Sequence, residues 1–397
     1  MNMKTLPFKS SMMGLLCALL LFASPLPLLR AENSTVNTHA RAAALIDVAS
    51  GRILYSSRGD ERMLIASLTK IMTALVAIEN GNLNSRVKVG KNAFAKEGSS
   101  LFLKQGEEMS LEDMLYGLML RSGNDAATAI AEHVGGSEEG FVYMMNAKAE
   151  ELGLRNTHFA NPHGLDAEGH YSSANDLAVL TAYAMHNPVF KEIVRTEVKT
   201  ADNPYEKWDY KWSNKNKMLR LYEGADGVKT GYTKKALRCL VSSATRHGQQ
   251  LVAVTLNDGN DWNDHAALLD FGFNHYPLKT LVERGEGISG YNFVAGTKFA
   301  YPLGQGEEAR LVTKLVLNEP KNRSGGSFGL KGVLVLQLGG KEVGRVPVYA
   351  PEQLPPEHTA YEKRYSPAGA AAYPAAHWLQ ALGSALRALF EMGGRAS

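Results

Sequence analysis

Residues 239–256 read CLVSSATRHGQQLVAVTL, two apolar and β-branched runs separated by a turn at Gly248. Such a pair is an antiparallel hairpin, and a helix through DHAALLDFGF, residues 264–273, follows it. Far upstream, AAALIDVAS (42–50) and RILYSS (52–57) read as two more strands joined at Ser50-Gly51. The segments between them carry helical periodicity. From Ser67 to Ile78, the residues Leu68, Ile71, Met72, Leu75 and Val76 recur at the three-and-four spacing of one buried face. Ser110 with Asp113 opens LEDMLYGLML as a capping box, and Ser137 and Ser173 open two further helices, stopped by Gly153 and by Asn187-Pro188. Strands at both ends with helices between them predict an α/β domain of the α+β kind over residues 32–277. Its sheet should be antiparallel, with the earliest and latest strands meeting.

The flanks differ in kind. Residues 1–31 carry Lys4 and Lys9, an uncharged apolar run from Met12 to Ala23, then Pro25 and Pro27, with cleavage expected after Ala31. This order is a secretory signal peptide, the run being short of the roughly 20 residues of a spanning helix. After Leu278 the pattern turns to Gly-punctuated strands, ARLVTKLVL and VLVLQLGGKEVGRVPVYA, which predict a small all-β domain over 278–350. Residues 351–373, rich in Pro, Ala and charge, read as a linker. Residues 374–397 place Trp378, Leu379, Leu382, Leu386, Leu389 and Phe390 on one helical face, with Gln380, Ser384, Arg387 and Glu391 on the rest. That pattern predicts an amphipathic helix lying on a membrane surface, too polar to span, the alternative being an ordinary terminal helix packed on the β domain.

The chain has two cysteines, of which Cys17 falls in the leader and Cys239 in a strand, so the exported protein has no internal disulfide. A net charge of +3 with 21% charged residues gives no electrostatic ground for nucleic-acid binding. Function must come from the site.

Three motifs occur in order: Ser67-Leu68-Thr69-Lys70, Ser122-Gly123-Asn124 and Lys229-Thr230-Gly231. Each is common alone, but together they resemble the signature S-x-x-K, S-D-N and K-T-G of penicillin-binding proteins and class A β-lactamases, with Gly123 at the middle of the second. Ser67 stands at a helix start, where free N–H groups favour developing negative charge, and Lys70 lies one turn on along the same face. A lysine can take the serine proton only if its pKa is lowered, by burial or by a second cation such as Lys229. Ser122 then relays a proton to the leaving amine and Asn124 holds the substrate amide. Lys229 and Thr230 suit a terminal carboxylate, Gly231 leaves room for substrate backbone, and the N–H groups of Ser67 and Tyr232 suit the oxyanion.

With ASLTKIMTALVAIE, MLYGLMLRSGNDAATAIAEHVGG, NTHFANPHGLD, YSSANDLAVL, GADGVKTGYT and LVAVTLNDGNDWNDH added, the chain resembles the low-molecular-mass penicillin-binding D-alanyl-D-alanine carboxypeptidases. The resemblance implies a β-lactamase/transpeptidase-like fold. It also implies an acyl-enzyme on Ser67, resolved by water, with Lys70 as base and Lys229 to Gly231 on an edge strand. The substrate would be a peptidoglycan stem peptide ending in D-Ala-D-Ala, β-lactams would be covalent inhibitors, and no cofactor would be needed. The enzyme would be exported and attached to the outer face of the cytoplasmic membrane by its C-terminal helix. Two departures stand out. No arginine lies between Arg246 and Arg284, where some members hold the substrate carboxylate, which leaves Arg238 as the nearest substitute. Lys235-Ala236-Leu237 also lacks a glycine, so the rim of the pocket differs.

Other readings are weaker. His158, His163, Asp166 and His170 crowd one loop, but their spacing fits no helix-borne metal pair, so a hydrogen-bonded structural loop is expected. No serine sits on a strand-to-helix nucleophile elbow, and Cys239 reads as a buried thiol. A class A β-lactamase needs a deacylating glutamate; Glu168 is the candidate, with Ser172 where an asparagine would follow. A β-lactam sensor would acylate and stop.

Overall fold

A computed structural model describes residues 36–203, 205–318 and 329–356. The leader, the expected helix at 374–397 and most of the linker lie outside the described residues. All described residues from Asn37 onward belong to one unit.

Five strands form the main sheet: β1 (Ala42–Asp47), β2 (Ile53–Ser57), β7 (Ala225–Thr233), β8 (Leu237–Arg246) and β9 (Gln249–Leu256). Their order is β2-β1-β9-β8-β7, antiparallel throughout. Ala42–Asp47 pairs with Leu251–Leu256, so the first and last strands meet as expected. Alternate residues point to opposite faces. Ala42, Ala44, Ile46, Val252 and Val254 join the large helical core. On the other face Leu45 and Leu251 lie against Gly272 of the helix Asp261–His275, where a Cβ would come within 2.8 Å of both side chains. Burial on both faces explains why these strands read as continuous apolar runs rather than alternating ones.

The helix Thr69–Asn80, here α1, departs from its periodicity. Every side chain from Thr69 to Ala77 is buried, not only the expected stripe. Apart from Lys70, the positions off the stripe are small or hydroxylic, which lets neighbouring elements close around the helix; Thr73 Oγ1 donates to Pro162 O at 2.6 Å. Ser110, Ser137 and Ser173 cap their helices through the N–H groups of Asp113, Gly140 and Asp176. Asn187-Pro188 both follows one helix and caps the next, Pro188–Arg195. The segment read as one helix from Leu111 is α-helical to Tyr116 and then a wider π turn, Gly117–Arg121. After it comes Ser122 in the left-handed region, φ 67°. The helix Asn124–Gly135, which periodicity did not give, begins at once.

Downstream, Val294–Ala295, Leu311–Leu317, Leu330–Leu338 and Lys341–Tyr349 make a four-stranded sheet. It packs around its own apolar cluster, which includes Phe299, Tyr301, Leu336, Val346 and Val348. Arg52, in the β1–β2 connection, forks onto Glu307 at 2.7 and 2.8 Å and donates to Pro302 O at 2.7 Å.

Candidate active site

Ser67 lies in the 3-10 turn Ala66–Leu68 that leads into α1. The turn is strained, because Ala66 has φ 49° without being glycine. A chain of hydrogen bonds holds it. Ala160 N donates to His170 Nδ1 at 3.0 Å, which leaves the ring proton on Nε2. Nε2 meets Thr69 Oγ1 at 2.8 Å, and Thr69 Oγ1 donates to Ala66 O at 2.9 Å. Burial lowers the His170 pKa to about 4, so the ring is neutral and the chain runs in one direction. Gly164, at φ 85°, lies directly over the Ala66 carbonyl: a Cβ there would be 1.9 Å from the oxygen.

One turn along α1, Lys70 is fully buried. Its ammonium donates to Ser67 Oγ at 3.2 Å, to Asn124 Oδ1 at 2.7 Å and to the His163 carbonyl at 2.5 Å, which uses all three hydrogens. Burial, then the charges of Lys229 and Lys215, press its pKa well below the ordinary lysine value. Lys229 is equally buried on β7, with its pKa brought down to about 7 by burial and by Lys215, and it donates to Thr230 O at 2.8 Å. Strand β7 is outermost, so one of its edges has no strand partner among the described residues. Gly231 brings that strand against the serine turn, since a Cβ on it would be 3.3 Å from Ser67 N. Ser122 is buried, and its hydroxyl has no hydrogen-bond partner among the described residues. Thr230 is half-buried and Tyr232 exposed. The three motifs therefore converge on one place.

Residues 30–260 match the family profile described as D-alanyl-D-alanine carboxypeptidase. The chain belongs to the D-alanyl-D-alanine carboxypeptidase family. It is 35% identical to the D-alanyl-D-alanine carboxypeptidase DacF of Bacillus subtilis, an alignment covering 81% of this chain and 88% of that protein. Against DacC of Escherichia coli it is 33% identical over 79% of this chain and 84% of the relative. Among solved structures, penicillin binding protein 5 from Haemophilus influenzae superposes with a TM-score of 0.66 at 29% identity, over 80% of this chain and 97% of that one. The expected fold class and the reading as a serine-type D-alanyl-D-alanine carboxypeptidase hold.

Several features of this carboxypeptidase were not legible in its motifs. Asn124 reaches Lys70 with Oδ1 and the Glu97 carbonyl with Nδ2, at 2.7 Å each, leaving one amide hydrogen uncommitted. Arg238, offered as a carboxylate binder, has its fork closed by Asp261 and lies over the Trp262 ring. In Lys235-Ala236-Leu237, Leu237 takes φ 60°, the conformation a glycine would take without strain. The histidine loop is a scaffold. His158 Nδ1 contacts Gly169 O at 2.6 Å, Asp166 accepts from Thr233 Oγ1 at 2.9 Å, and His163 Nε2 faces Glu138 at 3.6 Å. Glu168 is exposed. Cys239 is buried, with its thiol pKa pushed up to about 12 by burial. The one sequence signal for the scaffold was the crowding of polar residues in NTHFANPHGLD.

Proposed function

We propose that this carboxypeptidase cuts the terminal D-alanine from peptidoglycan stem peptides through an acyl-enzyme on Ser67. The observation that carries the reading is the buried Lys70 ammonium, 3.2 Å from Ser67 Oγ, with a second buried lysine lowering its pKa. As a free amine, Lys70 takes the Ser67 proton while Oγ attacks the carbonyl carbon of the penultimate D-alanine. The oxyanion is held by the N–H groups of Ser67 and Tyr232. Ser122, whose hydroxyl is free to turn, passes the proton to the departing amine as the C–N bond breaks, and D-alanine leaves. Water, deprotonated by Lys70, then cleaves the ester. The remaining Asn124 amide hydrogen suits the substrate carbonyl. The terminal carboxylate falls to Lys229 and Thr230; Arg238 is set aside, because its charge is already matched by Asp261. A β-lactam enters by the same attack, but its leaving nitrogen stays tethered.

Residues 278–350 serve in this reading as a spacer or docking domain, and the helix at 374–397 as an anchor to the outer face of the cytoplasmic membrane after removal of residues 1–31. The apolar face of that segment supports attachment at a surface, and among the described residues no helix is long and apolar enough to cross a membrane. The test is Ser67→Ala. It should abolish covalent labelling by penicillin and release of D-alanine from a D-Ala-D-Ala peptide, with an unchanged melting temperature. Labelling retained at another residue overturns the assignment.

A further inference from the structure

Lys215 has no part in the reaction as drawn, yet it is held at the site with care. It follows β6 (Tyr210–Ser213) in the run Asn214-Lys215-Asn216, where both asparagines are buried and Lys215 is exposed. Asn214 Nδ2 donates to Val194 O and Thr196 O, and Asn216 Oδ1 accepts from Met218 N. The Lys215 N–H itself donates to Leu120 O at 3.1 Å, two residues before Ser122. The backbone is thus fixed from both sides while the side chain projects.

Among the described residues that side chain hydrogen-bonds only the Ser99 hydroxyl, at 3.4 Å, on the loop whose Ser99 carbonyl accepts from Asn124 N. Arg121 donates to Ser213 O, two residues before Lys215, at 3.4 Å, and its charge acts on the Lys215 ammonium. Neither cation forms an ion pair among the described residues, although Glu97 belongs to the same loop. Asp125, the nearest carboxylate in sequence, turns away and accepts from Ser100 Oγ, Leu101 N and Leu103 N. The two cations repel each other. A wall of this kind attracts an anion.

We propose that Lys215, with Arg121, is a specificity residue that binds a second carboxylate of the donor peptide. This rests on the carboxypeptidase reading above. The terminal carboxylate belongs to Lys229 and Thr230, and neither alanine of the scissile pair has an ionisable side chain. The second carboxylate therefore sits on a residue preceding them. The ligand is an acidic peptide, acylated at its N-terminus and ending in D-Ala-D-Ala.

The experiment compares two such peptides that differ only in the side chain before the D-Ala-D-Ala, a carboxylate in one and its primary amide in the other. The wild-type enzyme should favour the acid in kcat/KM by roughly five- to tenfold, as one charged hydrogen bond at a wet site provides. Lys215→Gln should bring the ratio near one, and Lys215→Glu should reverse it. Any change that Lys215 exerts through the pKa of Lys70 affects both peptides and cancels in the ratio. Arg121→Gln, on a different element, should narrow the ratio as well. Equal use of both peptides by the wild type, or a ratio untouched by Lys215→Gln, overturns this inference while D-alanine release upholds the reading beneath it. Release from neither peptide overturns both.

Discussion

Gly164→Ala should disable the enzyme from behind the nucleophile, without touching any residue of the three motifs. The added Cβ would stand 1.9 Å from the Ala66 oxygen, against the 3.4 Å of ordinary contact, so one of the two must retreat by about 1.5 Å. The left-handed backbone, φ 85°, adds its own penalty, about 1–2 kcal/mol for a residue with a Cβ. Forcing a methyl into a closed site costs about 1–3 kcal/mol more. Stability should fall by about 2–5 kcal/mol together, lowering Tm by roughly 3–8 °C for a fold of this size. The Ala66 carbonyl is the residue before Ser67, so its retreat drags Oγ from the carbonyl it must attack. A displacement near 1 Å costs about a hundredfold in rate. The assay is the second-order rate of penicillin acylation, measured well below the new Tm alongside D-alanine release. Acylation within threefold of wild type with an unchanged Tm would refute the claim that Gly164 holds the serine turn.

Lys229→Ala should lower kcat/KM on a peptide with a free terminal carboxylate at least tenfold more than on its amide; equal losses would make Lys229 structural. The same change removes a cation that depresses Lys70, so the acidic limb of the amide profile should move to higher pH, and an unmoved limb would deny the coupling. Glu138, held down to about 2 by His163 and the Lys96 ammonium, stabilises the fold above the ordinary glutamate value of 4.5. That contribution fades as pH falls from 4.5 through 2, so Glu138→Gln should show a shallower loss of Tm in that window. An identical slope would mean that the pair is incidental. Deleting residues 374–397 should release active enzyme from membranes, whereas salt washing should release little; retention of the truncated, leader-free chain would remove the anchor from the account.

What the sequence disclosed depended on the range of the interaction. The capping serines Ser110, Ser137 and Ser173 act within three residues, and the hairpin at Gly248 closes locally, so both were legible. The proximity of Lys70 to Ser67 follows from a single helical turn. Periodicity failed on α1, because a helix enclosed on every side differs from an amphipathic one in the smallness of most off-stripe residues, such as Thr73 and Ala74, while the buried Lys70 reads as a solvent-facing charge. The Ala-rich helix from Asn124 had too little contrast to announce itself. Asn187-Pro188 marked a stop and concealed a start. The bond from Asn124 to Lys70 joins residues 54 apart, and the fit of Gly164 over Ala66 joins residues nearly a hundred apart, so no local pattern could encode either. Arg238 was chosen by elimination along the chain, and only the fold brings Asp261 to it.

The enclosure of α1 bears on how the enzyme fails. Amides of a helix buried from Thr69 to Ala77 exchange with deuterium only when the surrounding shell opens as a whole, whereas the exposed strand Leu311–Leu317 exchanges by local fraying. Lys70 thus rides on the last part of the molecule to come apart. Mild denaturant should strip protection from the peripheral strands while leaving the reactive lysine in register with Ser67. A partly opened enzyme would still capture penicillin, and loss of labelling would mark the point at which the central helix itself lets go.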